Sequence, residues 1–179
     1  MIAYYLSIVE TEEDKKRITH IYTDYYSFMC RVAAKYLREQ SDIEDTVHNA
    51  MMKIIDKLDT IDFSDEKKLK SYIGVIVKHK AIDLIRADDK NTTPLEECFS
   101  VADDSLTPEE AVVSEDAYKV ILERIDSLDD IYKNVCILKF VNGLKEKDIA
   151  SLLDVTENVV AVRLYRARKM LKESLSAIC

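Results

Sequence analysis

The stretch LKEKDIASLLDVTENVVAVRLYRARKML, residues 144–171, decides how the rest of the chain is read. It opens on a short helical pattern in which Ile149, Ala150 and Leu153 face inward. Asp-Val-Thr then makes a tight turn, and Thr156 stands where a second helix needs its N-cap. In that second helix Val160, Leu164, Ala167 and Leu171 recur at i, i+4, i+7 and i+11, an inward stripe. Glu157, Asn158, Ala161, Val162, Tyr165 and the arginines at 163, 166 and 168 are left outward or at the edges. Two helices joined by so short a turn form a helix-turn-helix, and small Ala150 permits the close crossing it needs. The early outward residues are placed to reach base edges in a major groove, and the cations to grip phosphate. A helical hairpin that only packs has the same pattern, so this unit alone leaves both readings open.

Working outward, the preceding segments are helical too. SEDAYKVILERIDSL carries apolar Ala117, Val120, Ile121, Ile125 and Leu128, and DDIYKNVCILKFVNG ends at Gly143, which fits a left-handed C-cap. Gly and Pro number only two each in 179 residues, too few for the turns of β-hairpins or a sandwich. With 47% apolar residues the chain can still bury hydrophobic cores. These features predict an all-α protein.

Charge divides the chain. Residues 1–87 carry 14 Lys/Arg and 15 Asp/Glu, residues 88–116 one Lys and ten acids, and residues 117–179 eleven Lys/Arg and nine acids. The nets are −1, −9 and +2, so the middle segment supplies the whole negative excess of the −8 chain. That segment also holds Pro94 and Pro108 and has no helical period until Thr107 caps a start, with Pro108 at the first helical position and Glu109 and Glu110 in the first turn. A structureless loop of this length is uncommon inside one compact domain. The expectation is two small helical domains, 1–87 and 107–179, joined by an acidic flexible linker over 88–106, with the helix-turn-helix in the second.

In the first domain, residues 18–37 carry apolar positions 18, 21, 25, 28, 29, 32, 33, 36 and 37 at helical spacing. Ser41 with Glu44 reads as a capping box for a helix from Asp42 to about Leu58 that buries Ile43, Val47, Ala50, Met51, Ile54, Ile55 and Leu58. A polar loop follows. LKSYIGVIVKHKAIDLIR is then a third helix burying Ile73, Ile76, Val77, Ala81, Leu84 and Ile85. Residues 67–86 hold six Lys/Arg against Asp83 alone. One helix therefore starts acidic, and another is basic. The acids either complement a helix dipole or dock a basic partner, and the basic face is either solvent surface or a nucleic-acid contact.

Other classes of function find little support. Cys30, Cys98, Cys136 and Cys179 make no CxxC pair, and His20, His48 and His79 have no finger spacing, so reduced thiols and no metal are expected. Glu44 or Asp45 with His48 resembles half of a di-iron carboxylate site, but no second Glu-x-x-His exists. The apolar start MIAYYLSIV has no basic region before it and meets acids soon after, unlike a signal peptide. No run approaches the roughly 20 apolar residues of a membrane span.

Two blocks, in order, resemble the extracytoplasmic-function group of bacterial sigma-70 factors. SDIEDTVHNAMMKIIDKL followed by KSYIGVIVKHKAIDLIR is similar to region 2, with Glu44-Asp45, Val47-His48, Asp83 and Arg86 matching its pattern and His79 where Asn is common. LDDIYKNVCILKFVNGLKEKDIASLLDVTENVVAVRLYRARKML resembles region 4, with Asp148-Ile149-Ala150 for Glu-Ile-Ala and VVAVRLYRAR for the recognition core. The sequence departs at Ala161, where Lys is usual, and at Val162, where Ser is common, which leaves −35 affinity and sequence open. Ser71-Tyr72-Ile73 stands in place of an aromatic Trp-Leu, with Tyr72 able to take its packing role.

The resemblance implies a cytoplasmic, non-enzymatic factor without cofactor. Such a factor binds core RNA polymerase, directs it to promoter DNA and is often held by an anti-sigma partner. It implies polymerase docking by Asp42, Glu44, Asp45, His48, Asn49 and Met52. It implies −10 contacts by Phe63, Lys68, Ser71, Tyr72, Lys78, His79, Lys80 and Arg86, with Phe63 and Tyr72 as stacking candidates. It implies −35 contacts by Thr156, Glu157, Asn158, Ala161, Arg163 and Arg166, with Glu157, Asn158 and Arg163 at or near the bases and Arg166, Arg168 and Lys169 on the backbone or packed beside it. A stand-alone helix-turn-helix regulator and a helical protein–protein adaptor are the rival readings.

Overall fold

The structure, a computed structural model, describes the backbone of residues 1–88 and 115–176 and the side chains of 1–87 and 119–174. Every regular element among them is helical. The chain divides into two compact units, Met1–Pro94 and Leu95–Cys179. Residues 89–106 of the expected linker, and the helix start expected at Thr107–Pro108, lie outside the described residues.

The first unit opens with α1 (Ile2–Ile8), a helix the sequence reading did not anticipate, anchored by fully buried Tyr5. Next, α2 (Glu12–His20) is capped by Thr11, whose Oγ1 accepts the Asp14 N–H at 3.0 Å, and its first turn holds Glu12, Glu13 and Asp14 at the positive end of the dipole. The chain continues through a π turn at Ile21–Tyr25 into α3 (Tyr26–Ala33). Ile18, Ile21, Tyr25, Met29, Ala33 and Leu37 are buried. Steps of four residues drift around a 3.6-residue helix, and the wider π turn restores some of that rotation, so one stripe stays inward.

The helix α4 (Gln40–Asp56) starts earlier than expected, and the Ser41–Glu44 capping box does not form. Its N-cap is Glu39 without a side-chain bond; Ser41 lies exposed inside the helix, and Glu44 instead accepts a 2.7 Å bond from Gln40. The long helix α5 (Glu66–Asp88) also starts early, because Asp65 accepts the N–H groups of Lys67 and Lys68 at 2.9 and 3.1 Å. With α3 and α4 packed against it, α5 buries Leu69, Tyr72, Ile73, Val75, Ile76, Val77 and Ala81. Ile85, expected inside, is 42% exposed, since it falls on the narrow outer stripe of α5 with Lys67, Ser71 and Lys78.

In the second unit, α6 (Glu115–Asp126) packs on α7 (Asp130–Cys136) through the Ile121–Ile125 face. Val120, one position round the helix, is exposed rather than buried. α7 runs on through a π turn, Ile137–Val141, to Gly143 at φ +70°, where Leu144 N–H reaches back to the Leu138 carbonyl at 3.0 Å. The expected left-handed cap is therefore present. The helices α8 (Glu146–Leu152) and α9 (Glu157–Ser176) are joined by a turn in which Asp154 takes φ +50° and Val155 N–H bonds the Ala150 carbonyl at 3.0 Å. Thr156 Oγ1 accepts the Val159 N–H at 3.3 Å, as the sequence predicts for the cap of α9.

One expectation fails here. Val162, read as outward, is only 6% exposed. α9 packs against both α7 and α8, so its buried arc is wider than one stripe and takes in Val160, Val162, Leu164 and Ala167. Leu171, expected inside, is half-buried near the end of the bundle.

Candidate functional site

Three surfaces collect the candidate residues. The first is α4. Ile43, Thr46, Val47, Ala50, Met51 and Ile54 face the core, which turns Glu44, Asp45 and Asn49 to the exterior and leaves Asp42, His48 and Met52 half-buried. His48 is not free to join a carboxylate metal site. Its Nδ1 lies 2.9 Å from the Tyr5 hydroxyl, and its ring stacks on Tyr5 at 5.6 Å and tilts against Tyr4 at 5.9 Å. Burial, and then the neighbouring tyrosines, push the Tyr5 hydroxyl up to about 12. The helix α1 thus flanks the outer face of α4, a contact no motif had signalled.

The second surface is α5 with the loop before it. Arg86 is exposed, and Lys68, Ser71, Lys78, His79 and Lys80 are half-buried. Ser71 hydroxyl donates to the Lys68 carbonyl at 2.8 Å, and Lys68 lies 3.8 Å from Asp62. Asp62 is held below the usual carboxylate range by its hydrogen bonds from Ser64 and then by Lys68. Phe63 is half-buried beneath the Arg17 guanidinium, 5.2 Å from its ring centroid.

Tyr72 corrects one expectation. At 2% exposure it lies within the core, so it packs as the aromatic of the usual Trp-Leu pair would and offers no face to a base. The remaining cations do not share one face. Lys78 lies over the Tyr36 ring at 5.9 Å, on the α3 side. Lys80 turns to α4, 4.0 Å from Asp83, which also lies 3.0 Å from His79 Nδ1. There Lys80 and Asp83 line a cleft of about 440 Å³ with Asn49, Met52, Lys53 and Asp56, so two residues assigned to docking and one assigned to DNA meet in one place.

The third surface is α9. Thr156, Glu157, Asn158, Tyr165, Arg168 and Lys169 are exposed, while Ala161, Arg163 and Arg166 are half-buried. Glu157, Ala161, Tyr165 and Lys169 fall at i, i+4, i+8 and i+12, one outward stripe, with Arg163 and Arg166 to its sides. Arg168 lies 5.8 Å from the ring centroid of Phe140, itself 46% exposed. Stripe and cap together give α9 an outward N-terminal half that carries polar groups and no buried apolar ridge.

Among the described residues no helix is long and apolar enough to cross a membrane. Residues 21–91 match the family model for sigma-70 region 2, and residues 118–171 match the one for sigma-70 region 4. The RNA polymerase sigma factor SigV of Bacillus subtilis is 30% identical over 156 residues, 86% of this chain and 88% of that protein. The ECF RNA polymerase sigma factor SigW of the same organism is 26% identical, over 88% of this chain and 87% of its own length. The solved structure of the sigma factor RpoE with the anti-sigma factor NepR from Bartonella quintana is 18% identical, covers 90% of this chain and 98% of that one, and gives a TM-score of 0.40. The two regions fall on the two units described above, and the chain belongs to the extracytoplasmic-function group of the sigma-70 family, the RNA polymerase sigma factors.

Proposed function

We propose a division of labour within this sigma factor. The α4 face of Asp42, Glu44, Asp45, His48, Asn49 and Met52 docks on a basic surface of core RNA polymerase. The helix α5 and the loop before it, through Phe63, Lys68, Ser71, Lys78, His79, Lys80 and Arg86, meet the −10 element. Thr156, Glu157, Asn158, Ala161, Arg163 and Arg166 of α9 meet the −35 element. The first domain, residues 1–87, thus holds polymerase and the −10 element, residues 107–179 hold the −35 element, and the acidic segment 88–106 stays off DNA by charge. The protein acts in the cytoplasm by binding and does no catalysis of its own. An anti-sigma partner is part of the same reading and follows from family membership.

The observation that carries it is the opposition of charge between neighbouring helices: α4 turns Glu44 and Asp45 outward, while α5 carries five lysines between residues 67 and 82 and no acid. One helix suits a cationic protein and the other a polyanion. Run-off transcription with core polymerase on a pool of promoter fragments tests it. Specific starts are expected from the parent chain, and the Glu44→Lys/Asp45→Lys double variant is expected to lose both the starts and polymerase binding. Starts that persist with the double variant would remove α4 from the docking role. DNA binding without any polymerase dependence would favour the stand-alone regulator.

A further inference from the structure

Residues 1–9, MIAYYLSIV, carry no charged side chain, and the helix α1 within them is apolar on nearly every side. Its one serine turns back on the helix, where Ser7 Oγ donates to the Tyr4 carbonyl at 2.7 Å. A helix apolar all round is expected to be covered on all sides. Tyr5 does go into the core, yet Met1, Tyr4 and Ile8 stay exposed, and their spacing of three and four residues puts them on one side of the helix. The large apolar side chains exposed among the described residues of the first unit are these three and Ile85. Exposed apolar surface in this unit is thus concentrated on the helix that flanks α4.

The ring of Tyr4 is held in place there. It meets Tyr5 edge-on at 5.9 Å and His48 at a tilt of 37° and the same distance, while 53% of the residue remains exposed. Behind it Tyr5 reaches Tyr22 at 6.1 Å, and Tyr22 reaches Tyr26 at 4.9 Å, so an aromatic row runs from α1 to the start of α3. Burial first, then Cys30 and Tyr22, and last Glu44 raise the Tyr26 hydroxyl, which places the Glu44 carboxylate beside this row. Glu44 and Asp45 precede His48 by four and three residues, so both lie about one helical turn from the imidazole that Tyr4 touches.

We infer that Tyr4 is a docking residue for core RNA polymerase: its exposed ring takes an arginine of the polymerase that Glu44 or Asp45 pairs at the same time. An aromatic face beside a carboxylate is a seat for a guanidinium, which stacks on the one and pairs with the other; the compact ammonium of a lysine stacks less well. Tyrosine and methionine are also the side chains enriched where protein surfaces meet. The two outward acids keep DNA phosphate away. Residues 1–9 supply no Lys or Arg for an anionic lipid surface, and Glu10, Glu12, Glu13 and Asp14 follow at once. A cationic protein is the occupant left, and the patch is continuous with the α4 face. The inference rests on the reading of α4 as the docking helix and extends that surface to α1.

The test titrates the full chain into core polymerase. Tyr4→Leu and Tyr4→Met keep an apolar side chain but remove the π face, and Tyr4→Phe keeps the ring; each is first shown to melt close to the parent. Leu and Met are expected to weaken polymerase binding about fivefold, and Phe to retain most of the affinity. Lys16→Glu, on exposed α2 surface, is expected to leave it unchanged. Combined with Glu44→Gln/Asp45→Asn, the Tyr4→Leu loss should fall short of the product of the separate losses, because ring and carboxylates grip one group. Parent-like affinity in both Leu and Met would overturn the inference. So would an equal loss in Phe, which would assign the contact to the hydroxyl, or losses that multiply in full. Failure of the docking reading itself would appear separately, as polymerase binding that survives Glu44→Lys/Asp45→Lys.

Discussion

Replacing Val162 with Ser, the residue common at that position in the family, separates a fold contact from a DNA contact. Val162 is 6% exposed and lies between the equally buried Val160 and Leu164. The change removes two buried methyls, at about 0.8 kcal/mol each. It also brings in a hydroxyl, which can bond back to its own helix and so adds only a few tenths to about 1 kcal/mol. The sum is about 2 kcal/mol. For a unit of this size each kcal/mol lowers Tm by roughly 4–8 °C, so a drop of about 8–16 °C is expected by calorimetry in the transition that includes α9. Well below that transition, affinity and base preference on duplex carrying the −35 element should stay within about twofold of the parent. Ala161→Lys is the contrasting variant, because Ala161 is half-buried on the outward stripe. It should leave Tm within the small range of surface changes and steepen the salt dependence of duplex binding by about one phosphate contact. If Val162→Ser melted like the parent yet altered the preferred sequence, the burial argument would be wrong and position 162 would belong to the DNA face.

Three further outcomes follow from particular geometries. Gly143→Ala meets open space but must hold φ +70°, so a cost of about 1 kcal/mol is expected in urea unfolding, with Gly143→Asn costing less; equal stability of all three would show that the cap tolerates a side chain. Tyr5→Phe keeps the buried ring but deletes the hydroxyl bonded to His48, so a loss of about 1 kcal/mol and a changed His48 ring environment by NMR are expected, and an unmoved His48 signal would deny the contact. The hydroxyls of Tyr5 and Tyr25 are both pushed up to about 12, chiefly by burial and at Tyr25 then by its bond to Glu66. Unfolded tyrosine ionises near pH 10, so their contribution is full below about pH 10 and is lost as pH rises through about 12. The urea midpoint of the first unit should fall across that window, less steeply in Tyr25→Phe, and a flat profile would count against the burial of both rings.

Most of the helical architecture was legible because its signals are local. The α8–α9 turn announces itself by Asp-Val-Thr, and Thr156 and Gly143 cap as their chemistry requires. The errors arose where two local signals compete or where a third element decides. Ser41 was a plausible cap, but Gln40 could extend the helix and take Glu44, which removed the partner the capping box needs. Val162 looked outward on a single stripe, yet α9 has neighbours on two sides, and only packing reveals the wider arc. The helix α1 is short and carries no cap bond, so its reason to be helical is the Tyr5–His48 contact made across more than forty residues.

The site residues divide by the same rule. Glu44, Asp45 and Asn49 could be placed outward on α4 from periodicity alone, since three residues between apolar positions must face away from the core. The cations of α5 could be counted in sequence but not assigned to a side. Lys78 and Lys80 are two residues apart and point to different neighbours, one to Tyr36 in the turn after α3 and one to the cleft against α4. Nor could sequence show that the acid-free stretch at 25–38 has another acid-free stretch for its neighbour, because the sign of a surface is a property of which segments meet.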